Sequence, residues 1–208
     1  NAPGPSPEAV RTYTQAALLL NDGRIREAAL GFDDAARLDP GSAEIRLSAA
    51  RAWLRLSEWD KAIERARAAL ERNAETVGAY EVNGEALLSS GRFAEARTLF
   101  QELITQQRAL PVAWRGLGRL AGLDGDLEGA ENALTRLVEL IPGSAEDWER
   151  LGDLRHRLGR PAPAARAYTE AVGLDRQRRD LDHKILGLAL SAGDVDIARA
   201  AAERLAGE

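Results

Sequence analysis

The sequence contains no cysteine among its 208 residues. Disulfides, thiolate metal sites and a cysteine nucleophile are therefore excluded. Lysine is also scarce: Lys61 and Lys184 are the only two, so arginine supplies the other 26 of the 28 basic residues. This use of arginine, together with abundant alanine and leucine, indicates a GC-rich bacterial genome. The absence of cysteine slightly favours an exported, periplasmic protein, although a cytoplasmic one remains open.

Long apolar runs and a strong excess of one charge are missing as well. No stretch approaches the roughly 18 apolar residues that a membrane-spanning helix needs, so no membrane span is predicted. The net charge is −5 and 29% of the residues are charged. This balance indicates neither a basic face for nucleic acid nor a polyacidic tail, so nucleic-acid binding is not expected.

The first residues include Pro3, Pro5 and Pro7 and contain no apolar core. Such a segment cannot continue a helix or pack against other elements. Residues 1–8 are therefore predicted to be a linker or an expression remnant. The alternative is a spacer left after removal of a signal peptide or after attachment of a lipid.

The main feature of the sequence is an internal repeat of 34 residues, with no insertion or deletion. The units span residues 9–42, 43–76, 77–110, 111–144, 145–178 and 179–208. Position 15 of the unit is occupied by Gly23, Ser57, Gly91, Gly125, Gly159 and Gly193. Position 20 is occupied by Ala28, Ala62, Ala96, Ala130, Ala164 and Ala198. A glycine allows the positive φ that ends one helix and starts a tight turn. An alanine five residues later lets the second helix cross the first closely.

The unit resembles the tetratricopeptide repeat, whose pattern is W-x2-L-G-x2-Y, then A-x3-F, then P. The opening is carried by Trp114, Leu117 and Gly118 and by Trp148, Leu151 and Gly152. The middle is carried by Ala28 with Phe32, Ala96 with Phe100 and Ala164 with Tyr168, and the end by Pro40 and Pro142. The resemblance covers residues 8 to 206. It implies an all-α solenoid of six helix-turn-helix repeats in a right-handed superhelix, and hence a single array over residues 9–208.

Each unit is predicted to contain a helix A followed by a helix B. Helix A spans roughly 9–21, 43–56, 77–90, 111–123, 145–158 and 179–191. Helix B spans roughly 25–38, 59–72, 93–106, 127–140, 161–175 and 195–206. The aromatic residues that recur at fixed phases are predicted to lie in the core: Tyr80, Trp114 and Trp148 at position 4, Trp59 and Phe93 at position 17, and Phe32, Phe100 and Tyr168 at position 24.

Two units depart from the pattern. The second has Arg46 where an aromatic residue is expected and Ala66 in place of phenylalanine. The sixth has Asp182 where an aromatic residue is expected and Leu186 where a small one is expected. Atypical terminal units are common in solenoids, because the outer face of the last unit meets solvent.

The resemblance places function on the concave surface of the A helices, which positions 5, 9 and 13 typically line in this family. These positions follow i, i+4 spacing and so form one stripe on each helix. The candidate groove residues are Tyr13, Arg51, Arg55, Glu81, Glu85, Arg115, Arg119, Glu149, Asp153 and Arg157. Their charge alternates from basic in the second repeat to acidic in the third, basic in the fourth and mainly acidic in the fifth.

Two interpretations of this stripe remain open. The first is ion pairing between repeats, which would join Arg51 or Arg55 to Glu85, and Arg119 to Glu85 or Asp153. Such exposed pairs contribute only about 0–1 kcal/mol each. The second is a groove for a peptide that carries charges of both signs, and both can hold at once. The residue set of the family's carboxylate clamp is absent, so binding of a chaperone tail is not expected.

No catalytic, cofactor or metal site is predicted. The only histidines, His156 and His183, have no partner at metal-ligand spacing, and no Ser/His/Asp arrangement can be argued. The glycine-rich run at 116–122 lies inside a predicted helix, whereas a dinucleotide site needs such a run after a strand. We therefore expect that this chain is not an enzyme.

The last helix B carries an apolar stripe that no later helix covers. It consists of Val195, Ile197, Ala198, Ala201, Ala202 and Leu205. End units usually have a polar outer face. Three alternatives follow: the stripe packs inward, the chain is part of a longer protein, or this end pairs with another molecule, as in a homodimer through the C-terminal repeat.

These features predict a protein-interaction scaffold that binds a protein or peptide in the concave groove. The alternative is a regulatory or targeting arm of a larger enzyme, or of a bacterial secretion or outer-membrane assembly system. That alternative rests on the frequent attachment of such arrays to transferases and assembly machinery.

Overall fold

The computed structural model describes residues 6–106, 110–178 and 180–207. This part of the chain contains twelve α-helices, one 3₁₀ helix and no strand. The α-helices are α1 Pro7–Asn21, α2 Ile25–Leu38, α3 Ala43–Arg55, α4 Trp59–Arg72, α5 Val77–Ser89, α6 Phe93–Thr105, α7 Pro111–Asp124, α8 Leu127–Leu140, α9 Ala145–Arg157, α10 Pro161–Leu174, α11 Leu181–Ala192 and α12 Val195–Ala206. The 3₁₀ helix is Arg176–Arg178. The predicted all-α fold is confirmed.

The predicted helix boundaries agree with the observed ones to within two residues at every helix end. The largest differences are at the start of α1 and at the start of α11. The predicted first residue of the sixth unit, Arg179, lies outside the described residues.

The N-terminal prediction needs a correction at Pro7 and Glu8, which are helical because α1 begins at Pro7. The Ser6 hydroxyl caps this helix by accepting a hydrogen bond from the Ala9 amide at 3.0 Å. Proline is tolerated in the first helical turn, where its missing N–H has no intrahelical partner to lose. Residues 1–5 of the predicted linker lie outside the described residues.

The chain divides into two compact units, Asn1–Leu99 and Phe100–Glu208. In the first unit, each helix from α1 to α4 packs against the helix that follows it in the chain, up to α5. In the second unit, α7 to α12 pack in the same sequential way. Packing between sequence neighbours is what a repeat architecture requires. The single array over residues 9–208 remains a prediction.

The turn between helices A and B has a left-handed residue at position 15 in all six repeats. The five glycines there have φ between 68° and 79°, and Ser57 has φ of 58°. Ser57 is the only non-glycine residue with positive φ in the described part of the chain. The prediction that position 15 ends the first helix with positive φ is confirmed.

Replacing Ser57 with glycine should raise the free energy of unfolding by about 1 kcal/mol, because a left-handed conformation costs an L-residue roughly that much. Urea denaturation followed by circular dichroism measures the change. The reverse substitution at the matching turn, Gly91→Ser, should lower the free energy by a similar amount. Equal stability of Ser57→Gly and the wild type would contradict this account of the turn.

The core is built largely from two positions of the repeat, the alanine at position 20 and the aromatic residue at position 24. The alanines at position 20 are between 0% and 6% exposed, and Phe32, Phe100 and Tyr168 at position 24 are at most 2% exposed. The prediction for Phe93 is wrong, because its side chain is 43% exposed. Phe93 is the first residue of α6, where no preceding helical turn covers the ring.

Asp182 occupies the aromatic position 4 of the sixth repeat and is buried, at 1% exposure. Its Oδ1 accepts a hydrogen bond from Arg204 Nε at 2.7 Å, and Arg204 Nη2 lies 2.6 Å from the same oxygen. An ion pair therefore takes the place of the aromatic ring in this repeat. A buried carboxylate without such a partner would be strongly destabilising.

Candidate peptide-binding surface

The charged residues of the stripe in the first unit lie on α3 and α5. Arg51 and Arg55 extend from α3 and are exposed, Glu81 is exposed on α5, and Glu85 is half-buried. The register of α3 is fixed at its start, where the Ser42 hydroxyl accepts a hydrogen bond from the Ile45 amide at 3.2 Å. Residues 51 and 55 therefore share one helical face, as their spacing predicts.

Arg51 lies across the first turn of the next A helix. A Cβ atom added at Gly78 would lie 2.5 Å from Arg51 Nη2 and 3.1 Å from Leu47 Cδ2. The absence of a side chain at Gly78 thus makes room for the guanidinium group. This contact places the charge of Arg51 against the backbone of α5 while the residue as a whole stays exposed.

The ion pairing that the first interpretation predicted within this unit is not formed. Among the described residues, neither Arg51 nor Arg55 has an ion pair. The Glu85 carboxylate accepts a hydrogen bond from Ser89 Oγ at 3.1 Å. The two arginines of the second repeat therefore keep donors that a bound chain could use.

Tyr13 has a role in packing as well as a place on the stripe. Its ring lies 5.2 Å from the Phe32 ring, at an interplanar angle of 52°. Its hydroxyl is 3.3 Å from Ser48 Oγ in the next repeat. Because the side chain is half-buried against Ala36 and Ile45, only part of the ring faces outward.

The stripe of the second unit combines paired and unpaired charges. Glu149 forms an ion pair with Arg178, whereas Arg115 and Arg157 are exposed and have no ion pair within the described residues. Arg119 is exposed as well. The acidic and basic groups predicted for this stripe therefore lie on the surface, but their pairing differs along it.

Asp153 is held by two groups of its own unit. Tyr168 donates a hydrogen bond from its hydroxyl to Asp153 Oδ1 at 2.6 Å, and Lys184 Nζ lies 3.6 Å from the same oxygen. The predicted pairing of Arg119 with Asp153 is not formed. Asp153 is nevertheless half-exposed, with 52% of its side chain accessible.

A cleft of about 360 Å³ lies beside Asp153 and Arg157. Its apolar part is formed by Leu127, Leu134 and Leu154, which belong to α8 and α9. A carboxylate and a guanidinium group thus flank an apolar floor. This arrangement suits a peptide that places an apolar side chain between charged ones.

Raising the pH above about 10 should destabilise the protein through Tyr168. Burial of the phenol, followed by its hydrogen bond to Asp153 and the charge of that carboxylate, raises the pKa of Tyr168. The unfolded chain releases this proton near the ordinary tyrosine pKa of about 10, whereas the folded chain holds it to higher pH. The stabilisation that the protonated Tyr168 phenol gives the folded protein is therefore fully present below about pH 10. It is lost as the pH rises through the pKa that Tyr168 has in the folded protein.

Urea titrations from about pH 9 to pH 11 on the wild type and Tyr168→Phe measure this effect. The free energy of unfolding should fall more steeply with pH in the wild type. Tyr168→Phe should also cost about 1 kcal/mol at neutral pH, because it removes a hydrogen bond to a carboxylate. Parallel pH profiles for the two proteins would show that Tyr168 does not titrate in this way.

Sequence reasoning missed a set of ion pairs that join neighbouring repeats. Three of them connect position 18 of one repeat to position 16 of the next: Arg26 with Glu58, Asp60 with Arg92, and Glu128 with Arg160. Each pair spans 32 residues in the sequence. A search for opposite charges at this separation would have found them, because the repeat places such residues side by side.

Two further carboxylates are more deeply placed. Asp33 accepts hydrogen bonds from Trp53 Nε1 at 3.0 Å and from Arg65 Nε at 2.7 Å. Glu131 accepts one from Arg155 Nε at 3.0 Å and also pairs with Arg160. Their partners lie in the following repeat, so these contacts tie adjacent repeats together.

Other kinds of site are not found in the described part of the chain. No group of three or more potential ligands could hold a metal ion there, and no described helix is long and apolar enough to cross a membrane. His156 and His183 are both exposed.

Helix pairs joined by a left-handed turn residue and crossing at a buried alanine define a helical-repeat protein. The family model for the tetratricopeptide repeat matches residues 13–76, 54–113, 82–145 and 115–179. The chain belongs to the tetratricopeptide repeat family. The resemblance of the sequence to this repeat is thus confirmed.

Tetratricopeptide repeat protein 33 of Xenopus laevis is similar in sequence, with 34% identity over 91 residues. The match covers 44% of this chain and 35% of that protein. This chain therefore spans about a third of the length of the relative it matches.

Several solved structures share the fold. MamA 41-end from Desulfovibrio magneticus RS-1 gives a TM-score of 0.67 at 21% identity, covering 84% of this chain and 98% of that one. PilF of Pseudomonas aeruginosa gives a TM-score of 0.68 at 20% identity, and the match covers 95% of this chain and 90% of that one. PilW, a widely conserved type IV pilus biogenesis factor, gives a TM-score of 0.64 at 19% identity, and the match covers 98% of this chain and 94% of that one. These likenesses show the shared helical-repeat fold. Proteins of the tetratricopeptide repeat family are generally non-enzymatic scaffolds.

Proposed function

We propose that this protein is a scaffold without catalytic activity that binds another protein or a peptide on the A-helix stripe of each of its two units. The observation that carries the proposal is that four exposed arginines at the predicted groove positions form no ion pair among the described residues: Arg51, Arg55, Arg115 and Arg157. A ligand carboxylate can bind these groups without first breaking an internal ion pair.

The rest of the surface supports this assignment by contrast. Arg26, Arg92 and Arg160, which lie at the turns and starts of B helices, all pair with carboxylates of a neighbouring repeat. On the A-helix stripe, by contrast, Arg51, Arg55, Arg115 and Arg157 form no ion pair among the described residues, a property that they share with Arg72 and Arg199 on B helices. Ion pairing between repeats therefore accounts for the three arginines at the starts of B helices, and ligand binding would account for the four exposed arginines that share the faces of the A helices.

The expected ligand is an extended or helical segment that carries acidic and apolar residues. In the second unit, Arg157 and Asp153 flank the apolar cleft that Leu127 and Leu154 line. An acidic residue of the ligand would face Arg157, and an apolar neighbour would enter the cleft. Burial of that side chain would provide most of the affinity, and the charges would select and orient the ligand.

The test is capture of partners by immobilised protein from a lysate of the source organism, quantified by mass spectrometry. We expect Arg115→Glu/Arg157→Glu to lose the proteins that the wild type captures. The matched control, Arg136→Glu/Arg199→Glu, reverses two exposed arginines of B helices in the same unit and should retain them. Circular dichroism should show equal helicity in all three proteins. An identical captured set from both variants would defeat the groove assignment.

The second candidate is a targeting arm of a larger enzyme, or of a bacterial secretion or outer-membrane assembly system. The structural likeness to PilF and to the pilus biogenesis factor PilW favours it. Fractionation of source cells tests this candidate. A targeting arm of such a system should sediment with envelope membranes and be released when its assembly partners are deleted, whereas recovery only in the soluble fraction of intact cells would contradict it.

The homodimer through the C-terminal repeat remains a prediction from the sequence. Within that repeat Ala198 and Ala201 are buried, so part of the apolar stripe packs inward, while Leu190 and Val195 are 65% and 63% exposed. If the homodimer forms, light scattering should give twice the monomer mass of 22.5 kDa, and Val195→Asp should restore the monomer. A monomer at every concentration would contradict the prediction.

A further inference from the structure

A second opening lies in the first unit, between α2, α3 and α4. It has a volume of about 490 Å³ and is called here the Arg46 pocket. Leu30, Ala36 and Ala68 form its apolar wall. None of the candidate groove residues lines this pocket, so it is separate from the A-helix stripe.

Arg46 occupies a position at which three of the six repeats have an aromatic residue. Tyr80, Trp114 and Trp148 occupy position 4 in the third, fourth and fifth repeats. Arg46 is half-buried, and its Nη1 donates a hydrogen bond to the Ser42 carbonyl oxygen at 3.1 Å. Within the described residues it forms no ion pair. A partly desolvated guanidinium group that has only one neutral acceptor leaves most of its donors unused.

The two carboxylates that line the pocket already have partners. Asp33 accepts hydrogen bonds from Arg65 and Trp53, and Asp34 pairs with Arg37. Neither carboxylate neutralises Arg46. The pocket therefore contains one cation whose charge is unmatched by a direct contact.

The surrounding charges agree with this description. Burial lowers the pKa of Arg46, and the positive charge of Arg72 lowers it further. Asp39 and Glu71 act in the opposite direction but form no ion pair with Arg46 among the described residues. The charged form of Arg46 would thus gain from an anion placed directly beside it.

The sixth repeat shows how this chain neutralises a charge at the same position. There Asp182 is at position 4 and its partner Arg204 is at position 26. Position 26 of the second repeat is Ala68, which lines the Arg46 pocket. The second repeat therefore has a charge at position 4 but no internal partner at the position that supplies one in the sixth repeat.

We propose that the Arg46 pocket binds a carboxylate that is attached to a short apolar group, as in an acidic residue of a partner protein beside an apolar one. The carboxylate pairs with the Arg46 guanidinium group. The apolar group contacts Leu30 and Ala68. The pocket is thus a second contact point for a protein partner, and it operates whether or not the A-helix stripe binds a ligand.

The experiment is a titration of the whole protein followed by the Arg46 Nε–H signal in ¹H–¹⁵N NMR spectra. The probe is 4-methylpentanoate, and the controls are the uncharged 4-methylpentanamide and inorganic phosphate. The carboxylate should shift the signal saturably, and the amide should bind at least about tenfold more weakly, because it lacks the charge-assisted hydrogen bonds. Binding of phosphate in preference to the carboxylate would overturn the proposed ligand class.

Two variants test the site itself. Arg46→Gln should abolish the carboxylate-specific binding, and Ala68→Glu should do so by supplying an internal partner for Arg46. In unliganded Ala68→Glu, the Arg46 Nε–H signal should lie near its position in the carboxylate-saturated wild type. Equal binding by the carboxylate and the amide, or unchanged binding in Arg46→Gln, would overturn the proposal. Arg115→Glu/Arg157→Glu should retain the binding, which separates this result from failure of the groove.

Discussion

Replacement of Asp182 with alanine is expected to lower the free energy of unfolding by about 3 kcal/mol, because removal of one member of a buried ion pair leaves the other charge uncompensated. The Asp182 carboxylate is only 1% exposed, whereas one third of the Arg204 side chain is accessible, at 33%. In the variant, water can therefore solvate part of the Arg204 guanidinium group. The expected loss of unfolding free energy thus lies at the lower end of the range found when one member of a buried ion pair is removed. Urea denaturation followed by circular dichroism measures it.

The pair itself need not be more stable than an apolar contact. Asp182→Leu/Arg204→Met should lie within about 1 kcal/mol of the wild type, because the double change removes both desolvated charges. As a control, Arg136→Ala removes an exposed pair with Glu139 and should change the stability by less than about 0.5 kcal/mol. A loss in Asp182→Ala no larger than in this control would show that the buried carboxylate does not need its partner.

Gly116→Ala should lower the free energy of unfolding by about 2 kcal/mol through overpacking. A Cβ atom at this position would lie 2.1 Å from Cε2 of Phe100, whose ring is only 1% exposed. The buried ring has little space into which it can move. The resulting strain should exceed the gain of roughly 1 kcal/mol that alanine brings to a helix interior.

Gly122→Ala is the matched control on the same helix α7. No heavy atom lies within 4 Å of the Cβ position there, so this substitution should stabilise the protein by about 0.5–1 kcal/mol. Combination of Gly116→Ala with Phe100→Leu should recover part of the loss, since the smaller side chain leaves room for the methyl group. A stabilising effect of Gly116→Ala alone would mean that the ring can move aside.

In the proposed function, the paired and unpaired charges on the surface of this protein have different roles. Carboxylates such as Glu128 and Glu131 hold arginines of the following repeat. Arg51 and Arg157 have no such partner among the described residues. A scaffold needs this division, because groups that hold the repeats in register cannot exchange their partners for a ligand without loss of stability.

The sequence by itself determined the repeat, and with it the helices and their turns. The register of 34 residues occurs six times, so each assignment rests on several aligned residues rather than on one local propensity. The turn residues at position 15 and the buried alanines at position 20 follow directly from this alignment. The stripe of candidate groove residues could be located for the same reason, since a known register assigns each residue to a helical face.

Only the tertiary structure decided which side chains on those faces are paired. Tyr13 packs on Phe32, Asp153 binds the Tyr168 hydroxyl rather than Arg119, and Phe93 is exposed although its column suggested burial. The tertiary structure also distinguished the two charged residues at position 4. Asp182 has Arg204 as its partner at position 26, whereas Arg46 has only Ala68 at the equivalent position. The physical reason is that the repeat fixes backbone positions, whereas pairing and burial depend on side chains that reach between repeats and differ from one copy to the next.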